Sequence, residues 1–192
     1  MARPSLKDQR SEEILDAYVI CAARFGLEGA TQERIAEQAG VKRTILRHYL
    51  GNKDDMLKAL AVHVIDQFQG QTELMGQALQ TTHKKEQLLD ILFASGVISN
   101  MDLVLVYQAL VARSEQDVEL KPLLLSSLTN FINCIEMFLQ RTSSCEDADR
   151  IFAVTQGVIA IYFNKDAYNP LHPPQRWNEG NIRAANLLLE LL

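Results

Sequence analysis

The sequence predicts an all-α protein of about nine helices, with a three-helix helix-turn-helix head followed by a helical-bundle body, and three observations predict it. Apolar residues recur at helical spacing along nearly the whole chain, while strand-like alternation is scarce. Helical stripes stop at Gly26, Gly40 and Gly51, where glycine allows the backbone to leave the helix. Around Gly40, two short helical segments meet in QERIAEQAGVKRTILRHYL, Gln32 to Leu50, and the second carries a basic face without an acid.

The elements follow in order. Residues 1–10 read as a flexible arm carrying Arg3, Lys7 and Arg10. Ser11 is the expected N-cap of a first helix striped by Ile14, Ala17, Tyr18, Cys21, Ala22 and Phe25. Thr31 caps the next, whose apolar side is Ile35, Ala36 and Ala39. Val41, Ile45, Leu46 and Tyr49 are spaced to pack back on it, and small Ala36 lets the two helices cross closely. That is the grammar of a helix-turn-helix whose second helix enters the DNA major groove. After Gly51-Asn52, Lys53-Asp54-Asp55 puts acids into the first turn of a long helix striped by Leu57, Leu60, Ala61, Val64 and Phe68. Five more helices are expected near 84–99, 102–114, 121–141, 146–165 and 174–191. Asp102 is placed to cap the second of these, whose apolar run from Leu103 to Ala112 suits full burial. Leu124, Leu128, Phe131, Ile135 and Phe138 stripe the third. The fourth is apolar around its circumference, so one side meets its own domain and the other needs a partner. Tyr168–Pro174 reads as a loop, and Trp177, Ala184, Leu188 and Leu191 stripe the last helix. Functionally the chain divides at about 1–52, arm and head, and 53–192, an effector-binding and dimerising body.

Composition bounds the function. The 192 residues are 47% apolar and 22% charged, enough for a sizeable core, and the net charge is −5. Residues 1–58 hold ten Lys/Arg against nine Asp/Glu, and 59–192 hold nine against fifteen. No acid lies between Glu37 and Asp54, where Lys42, Arg43, Arg47 and Lys53 fall. A basic patch on an acidic body suits a site-specific DNA binder rather than a coating protein. Cys21, Cys134 and Cys145 are odd in number and widely spaced, as structural thiols of a reducing compartment would be. The charged start MARPSLKDQRSEE has no apolar signal core, and no apolar run reaches the ~20 residues of a membrane span, so a cytoplasmic location without membrane partners is expected. His63, His83 and His172 are scattered and read as surface residues. No metal site, cofactor motif or catalytic constellation stands out, so the chain is not expected to be an enzyme.

ILDA at 14–17, Gly29-Ala30-Thr31, Ile35–Val41 and Lys53 together resemble the TetR (tetracycline-repressor) family of transcriptional regulators over about residues 8–65. The body adds only a compatible number and length of helices. Where such proteins usually read Ser-(Lys/Arg)-Gly-Thr-Leu-Tyr, this chain has Lys42-Arg43-Thr44-Ile45-Leu46-Arg47, and Leu50 stands for a frequent phenylalanine. The resemblance implies phosphate contacts for Thr31 and Lys53, each at a helix N-terminus. It also places Arg47 where a tyrosine commonly meets phosphate.

The candidate DNA-binding residues are therefore Thr31, Lys42, Arg43, Thr44, Arg47, His48, Tyr49 and Lys53, with Arg3 and Arg10 of the arm. Lys42, Arg43 and Arg47 lie where a groove-inserted helix meets base edges and flanking phosphates. Thr31 also serves as a plain N-cap, and Tyr49 divides between core and phosphate. A lone head offers few contacts, so a homodimer on a palindromic duplex operator is expected, with Ile159, Tyr162, Trp177 and Leu188 at its interface. Tyr107, Gln108, Asn130 and Asn133 are the polar groups among the apolar helices near 84–114 and 121–141, and are candidate effector contacts. The alternative has both asparagines facing solvent and Gln108 bonded to backbone. Cations in these segments sit near helix ends, which favours a neutral or singly charged lipophilic small molecule. The resulting expectation is a ligand-responsive repressor; the alternative is a DNA-bound adaptor whose body recruits a protein.

Overall fold

The computed structural model describes residues 6–93 and 100–192, and among them every regular element is helical. The α-helices are α1 (Leu6–Gly29), α2 (Gln32–Gln38), α3 (Arg43–Leu50), α4 (Lys53–Gln80), α5 (Gln87–Phe93), α6 (Met101–Arg113), α7 (Leu120–Thr142), α8 (Ala148–Tyr168) and α9 (Gln175–Leu189). A short 3-10 turn, Asn169–Leu171, occupies the expected loop. The chain forms two compact units, one of Met1–Gln67 with Met101–Leu124, the other of Phe68–Asn100 with Leu125–Leu192, and α4 and α7 contribute to both.

In the first unit α1 packs on α2, α3 and α6. Its start differs from the expectation: the helix already runs at Leu6, so Ser11 lies inside it and caps nothing. Leu6, Lys7, Gln9 and Arg10 are good helix formers, Asp8 is a weak one but suits the first turn, and Arg10 pairs with Glu13 one turn on at 2.5 Å. Arg3 lies outside the described residues. At Gly26 the backbone turns to φ 75°, ψ 166°, and the helical path breaks as the stripe predicts. Ile14, Ile35, Leu46, Leu60 and Leu110 are fully buried in this unit. His63 is not a surface residue: it is buried, with Nε2 2.9 Å from Asp16 Oδ1, because α4 turns that position toward α1. Leu103, Val106 and Leu110 bury one side of α6, but Gln108, Val111 and Ala112 on the other are exposed, so its apolar run is only half used within the protomer. Asp102 lies in the first turn of that helix, one residue past its start.

The second unit is built on Met75, Leu79, Leu88, Leu92, Ile135, Phe138, Leu139, Ile151, Val158 and Leu189. Arg141 donates to the carbonyls of Leu79 and Thr82 at 2.6 and 3.1 Å, closing the C-terminal end of α4. Asp147 caps α8 by accepting the Arg150 amide at 3.1 Å. Gly157 lets α9 approach: a Cβ there would sit 2.7 Å from Leu188 Cδ1. The helix expected over 84–99 begins only at Gln87, and its stretch 94–99 lies outside the described residues. By length and composition α7 could cross a membrane; here it buries Ile135, Phe138 and Leu139 in this core and carries Asn130, Asn133 and Glu136 along its length.

Candidate nucleic-acid interface

The interface is assembled around two caps and one turn. Thr31, in extended conformation, accepts the Arg34 amide on its Oγ1 at 3.4 Å and starts α2. At the other end Gly40 takes φ 63°, its amide donates to Glu37 O at 3.1 Å, and the Val41 amide reaches Ala36 O at 2.9 Å. This pair of bonds is a Schellman motif, which satisfies the last carbonyls of α2 and aims the chain into α3. Lys42 occupies the N-cap of α3 with no side-chain cap.

The buried pair Leu46 and Leu50 pins α3 to the unit, with Val41 and Tyr49 half-buried beside it. Ile45, expected to pack on α2, is instead 41% exposed. The apolar arc Val41, Ile45, Leu46, Tyr49 is too wide for one contact, and the seam follows Leu46 and Leu50. The outward side therefore presents Arg43, Thr44, Ile45, Arg47 and His48. His48 lies edge-on to Tyr49, with ring centroids 5.4 Å apart.

The cations of this surface differ in their partners. No described contact engages the charged ends of Lys42 or Arg47. Arg43 is tied to the start of α2: its Nε donates to Gln32 Oε1 at 3.0 Å and its Nη1 lies 2.6 Å from Glu33 Oε1. Lys53 Nζ donates to Glu28 Oε2 at 2.6 Å. That hydrogen bond and charge, with a smaller contribution from Arg113, hold the Glu28 carboxyl below its ordinary range. Glu33 is likewise lowered, first by its own backbone amide and also by Arg43. Gln32, Glu28 and Glu33 were not among the sequence candidates. They act through tertiary pairings, and only their nearness to Thr31 hinted at them.

Lys53 opens α4 behind a capping box. Asn52 Oδ1 accepts the amides of Asp54 and Asp55 at 2.8 and 3.1 Å, and Asp55 Oδ2 accepts the Asn52 amide at 3.0 Å. Gly51, at φ 76° and ψ −143°, makes this possible, because a Cβ there would lie 2.5 Å from Asp55 Oδ2. Gly51→Ala is expected to destabilise the fold by about 1–3 kcal/mol and to loosen Lys53. Urea denaturation checks it, and a curve superimposable on wild type would contradict the cap.

The remaining candidates fall elsewhere. In the first unit the Tyr107 hydroxyl donates to Leu124 O at 3.1 Å, and Gln108 is exposed. In the second, Asn130 and Asn133 are exposed on α7. Two grooves, of about 670 Å³ between the ends of α8 and α9 and about 410 Å³ beside Lys58 and Arg113, include none of these four. Ile159 and Tyr162 lie in the core of their own protomer, where Phe131 stacks on Tyr162 at 5.9 Å between centroids. Burial and the neighbouring Asp166 push the Tyr162 hydroxyl well above the usual tyrosine range. Leu188 is half-buried against Gly157, while Trp177 is 59% exposed. Among the described residues no group of three or more His, Cys, Asp or Glu could hold a metal ion.

Residues 14–60 match the family model described as bacterial regulatory proteins, tetR family. The HTH-type transcriptional regulator BetI of Paraburkholderia phymatum is 29% identical over 65 residues, which are 34% of this chain and 33% of that protein. The chain thus spans about a third of the length of the curated relatives it matches. Solved structures match its fold over nearly its whole length. A TetR-family transcriptional regulator from Mesorhizobium loti MAFF303099 has a TM-score of 0.75 at 13% identity, covering 97% of this chain and 96% of that one. FadR from Bacillus subtilis, solved in complex with stearoyl-CoA, has a TM-score of 0.59 at 18% identity, covering 93% and 95%.

Proposed function

We propose that this chain is a member of the TetR family, whose model its helix-turn-helix matches and whose fold it shares, and that it is a dimeric, sequence-specific DNA-binding repressor released by a small lipophilic effector. One observation carries the reading. Helix α3 is pinned by Leu46 and Leu50 and turns outward a face of Arg43, Thr44, Arg47 and His48 that holds no acid. Such a face suits base edges and phosphates together. Thr31 and Lys53 at the starts of α2 and α4 flank it as phosphate contacts, with Lys42, Tyr49 and, nearer the N-terminus, Arg10 and Arg3 in support.

Dimerisation is proposed through the outward faces of α8 and α9 and the turn after α9, where Phe152, Phe163, Trp177, Leu187 and Leu191 are exposed. Ile159 and Tyr162 then serve as the core beneath that face. Two heads would read half-sites about one helical turn, ~34–36 Å, apart. The effector reading rests on the apolar body, and the acyl chain of the stearoyl-CoA in the FadR complex is of the same lipophilic character. The functional division into head, 1–52, and effector-binding, dimerising body, 53–192, and a cytoplasmic location belong to the same proposal.

The test is footprinting of the purified protein on the DNA upstream of its own gene. A palindromic protected site is expected, and a neutral or singly charged lipophilic compound that raises the melting temperature should weaken protection by a matching free energy. No protected site at low salt would overturn the DNA-binding reading. Protection unaffected by every stabilising compound would overturn the effector reading alone.

A further inference from the structure

The carboxylate of Glu28 joins three helices. It follows the break of α1 at Gly26, and its Oε2 receives Lys53 Nζ of α4 at 2.6 Å while its Oε1 receives Arg113 Nη1 of α6 at 3.3 Å. Glu28 and Lys53 are 69% and 72% exposed, so a polyanion could reach the lysine. Arg113 is more enclosed, and its Nε is buried with no hydrogen-bond partner. A second pair, Lys58 with Glu119 at 2.7 Å, ties α4 to the residue just before α7. The link from α6 to α7 is thus fastened at both ends to the helices that carry the DNA-contact candidates.

We propose that Glu28 is a positioning residue that sets how available Lys53 is to a DNA phosphate, and that Arg113 governs it by competing for the same carboxylate. The proposal rests on the reading of Lys53 as a phosphate contact. A phosphate oxygen must displace Glu28 from Lys53. The released carboxylate can then turn fully to the Arg113 guanidinium, whose Nη1 already reaches its other oxygen, so DNA binding tightens the hold of α1 on α6. The reverse holds by linkage. Movement of α6 that withdraws Arg113 leaves Glu28 to Lys53 alone, and the lysine is kept from the phosphate.

The signs separate this arrangement from a plain charge effect. Binding to a fluorescent mixed-sequence duplex at about 50 mM salt is titrated for the full-length wild type, Glu28→Gln, Arg113→Gln, Lys53→Met and their double variants, with helical content and melting temperature as fold controls. Glu28→Gln should bind about two- to fivefold tighter, the scale of an exposed ion pair, with a salt slope steeper by about 0.9 for each lysine freed. Arg113→Gln should bind about two- to fivefold weaker. The loss in Arg113→Gln should vanish once Glu28 is Gln, and the gain in Glu28→Gln should vanish once Lys53 is Met, because each acts through the carboxylate. If the changes simply add, or Glu28→Gln weakens binding, the proposal is overturned. Should Arg113→Gln not fold, the Glu28 and Lys53 cycle decides alone. A wild-type chain that does not bind the duplex overturns the DNA-binding reading itself, whereas binding with additive variants overturns only this inference.

Discussion

Replacing Arg47 by Ala should lower affinity for the operator by about 1–3 kcal/mol per half-site, the largest loss among the recognition-helix substitutions. Arg47 lies one turn beyond Arg43 on the exposed side of α3, with Thr44 and His48 as neighbours. Arg43 spends its Nε on Gln32 and its Nη1 on Glu33, but no described contact engages Arg47, so its donor fork is open for a guanine edge or a phosphate. The two roles give different results. A base-reading Arg47 concentrates the loss on one base pair and relaxes preference there. A phosphate-bound Arg47 weakens every sequence evenly and flattens the salt dependence by about 0.9 per contact. Anisotropy titrations of the variant on the protected site and on its single-base-pair variants distinguish them. Unchanged affinity on all of them would remove Arg47 from the interface.

What the sequence revealed of this surface was its local part. The turn at Gly40, the cap at Thr31 and the break at Gly51-Asn52 are written in neighbouring residues, and each appears in the fold with its hydrogen bonds. The choice of face was harder. Val41, Ile45, Leu46 and Tyr49 cover too wide an arc of α3 for periodicity to decide which of them packs, and only the seam through Leu46 and Leu50 settles that Ile45 is exposed. The same ambiguity governs α6 and α8, whose apolar residues outnumber the places the protomer buries. The start of α1 was missed because an early Ser reads as a cap even where strong helix formers precede it. The ion pairs were illegible for a different reason. Glu28 meets partners 25 and 85 residues away, and no local pattern encodes such a meeting.

Ile159→Asp should unfold the protein rather than divide a dimer. Ile159 is 3% exposed within its own protomer, packed in the same cluster as Val158, Tyr162, Ala185 and Leu189. Aspartate there removes the apolar contact and buries a carboxylate without a partner, a combined cost beyond about 4–5 kcal/mol. Against a domain stability of about 5–15 kcal/mol that is most of the margin. Trp177→Asp combined with Phe163→Asp is the contrasting case. Both side chains are largely exposed, at 59% and 41%, although one side of the Phe163 ring stacks on Phe131 at 5.6 Å between centroids. The double variant should keep its helical circular dichroism and sediment as a monomer. A monomer places one head on one half-site, so its operator affinity should fall toward that of non-specific binding even though every residue of α3 is unchanged. A folded Ile159→Asp dimer would contradict the core placement, and a Trp177→Asp, Phe163→Asp chain of dimer mass would take this face out of the interface. The two variants lie on the same helix pair, so opposite outcomes would separate the side of α8 that builds the protomer from the side that would join two of them.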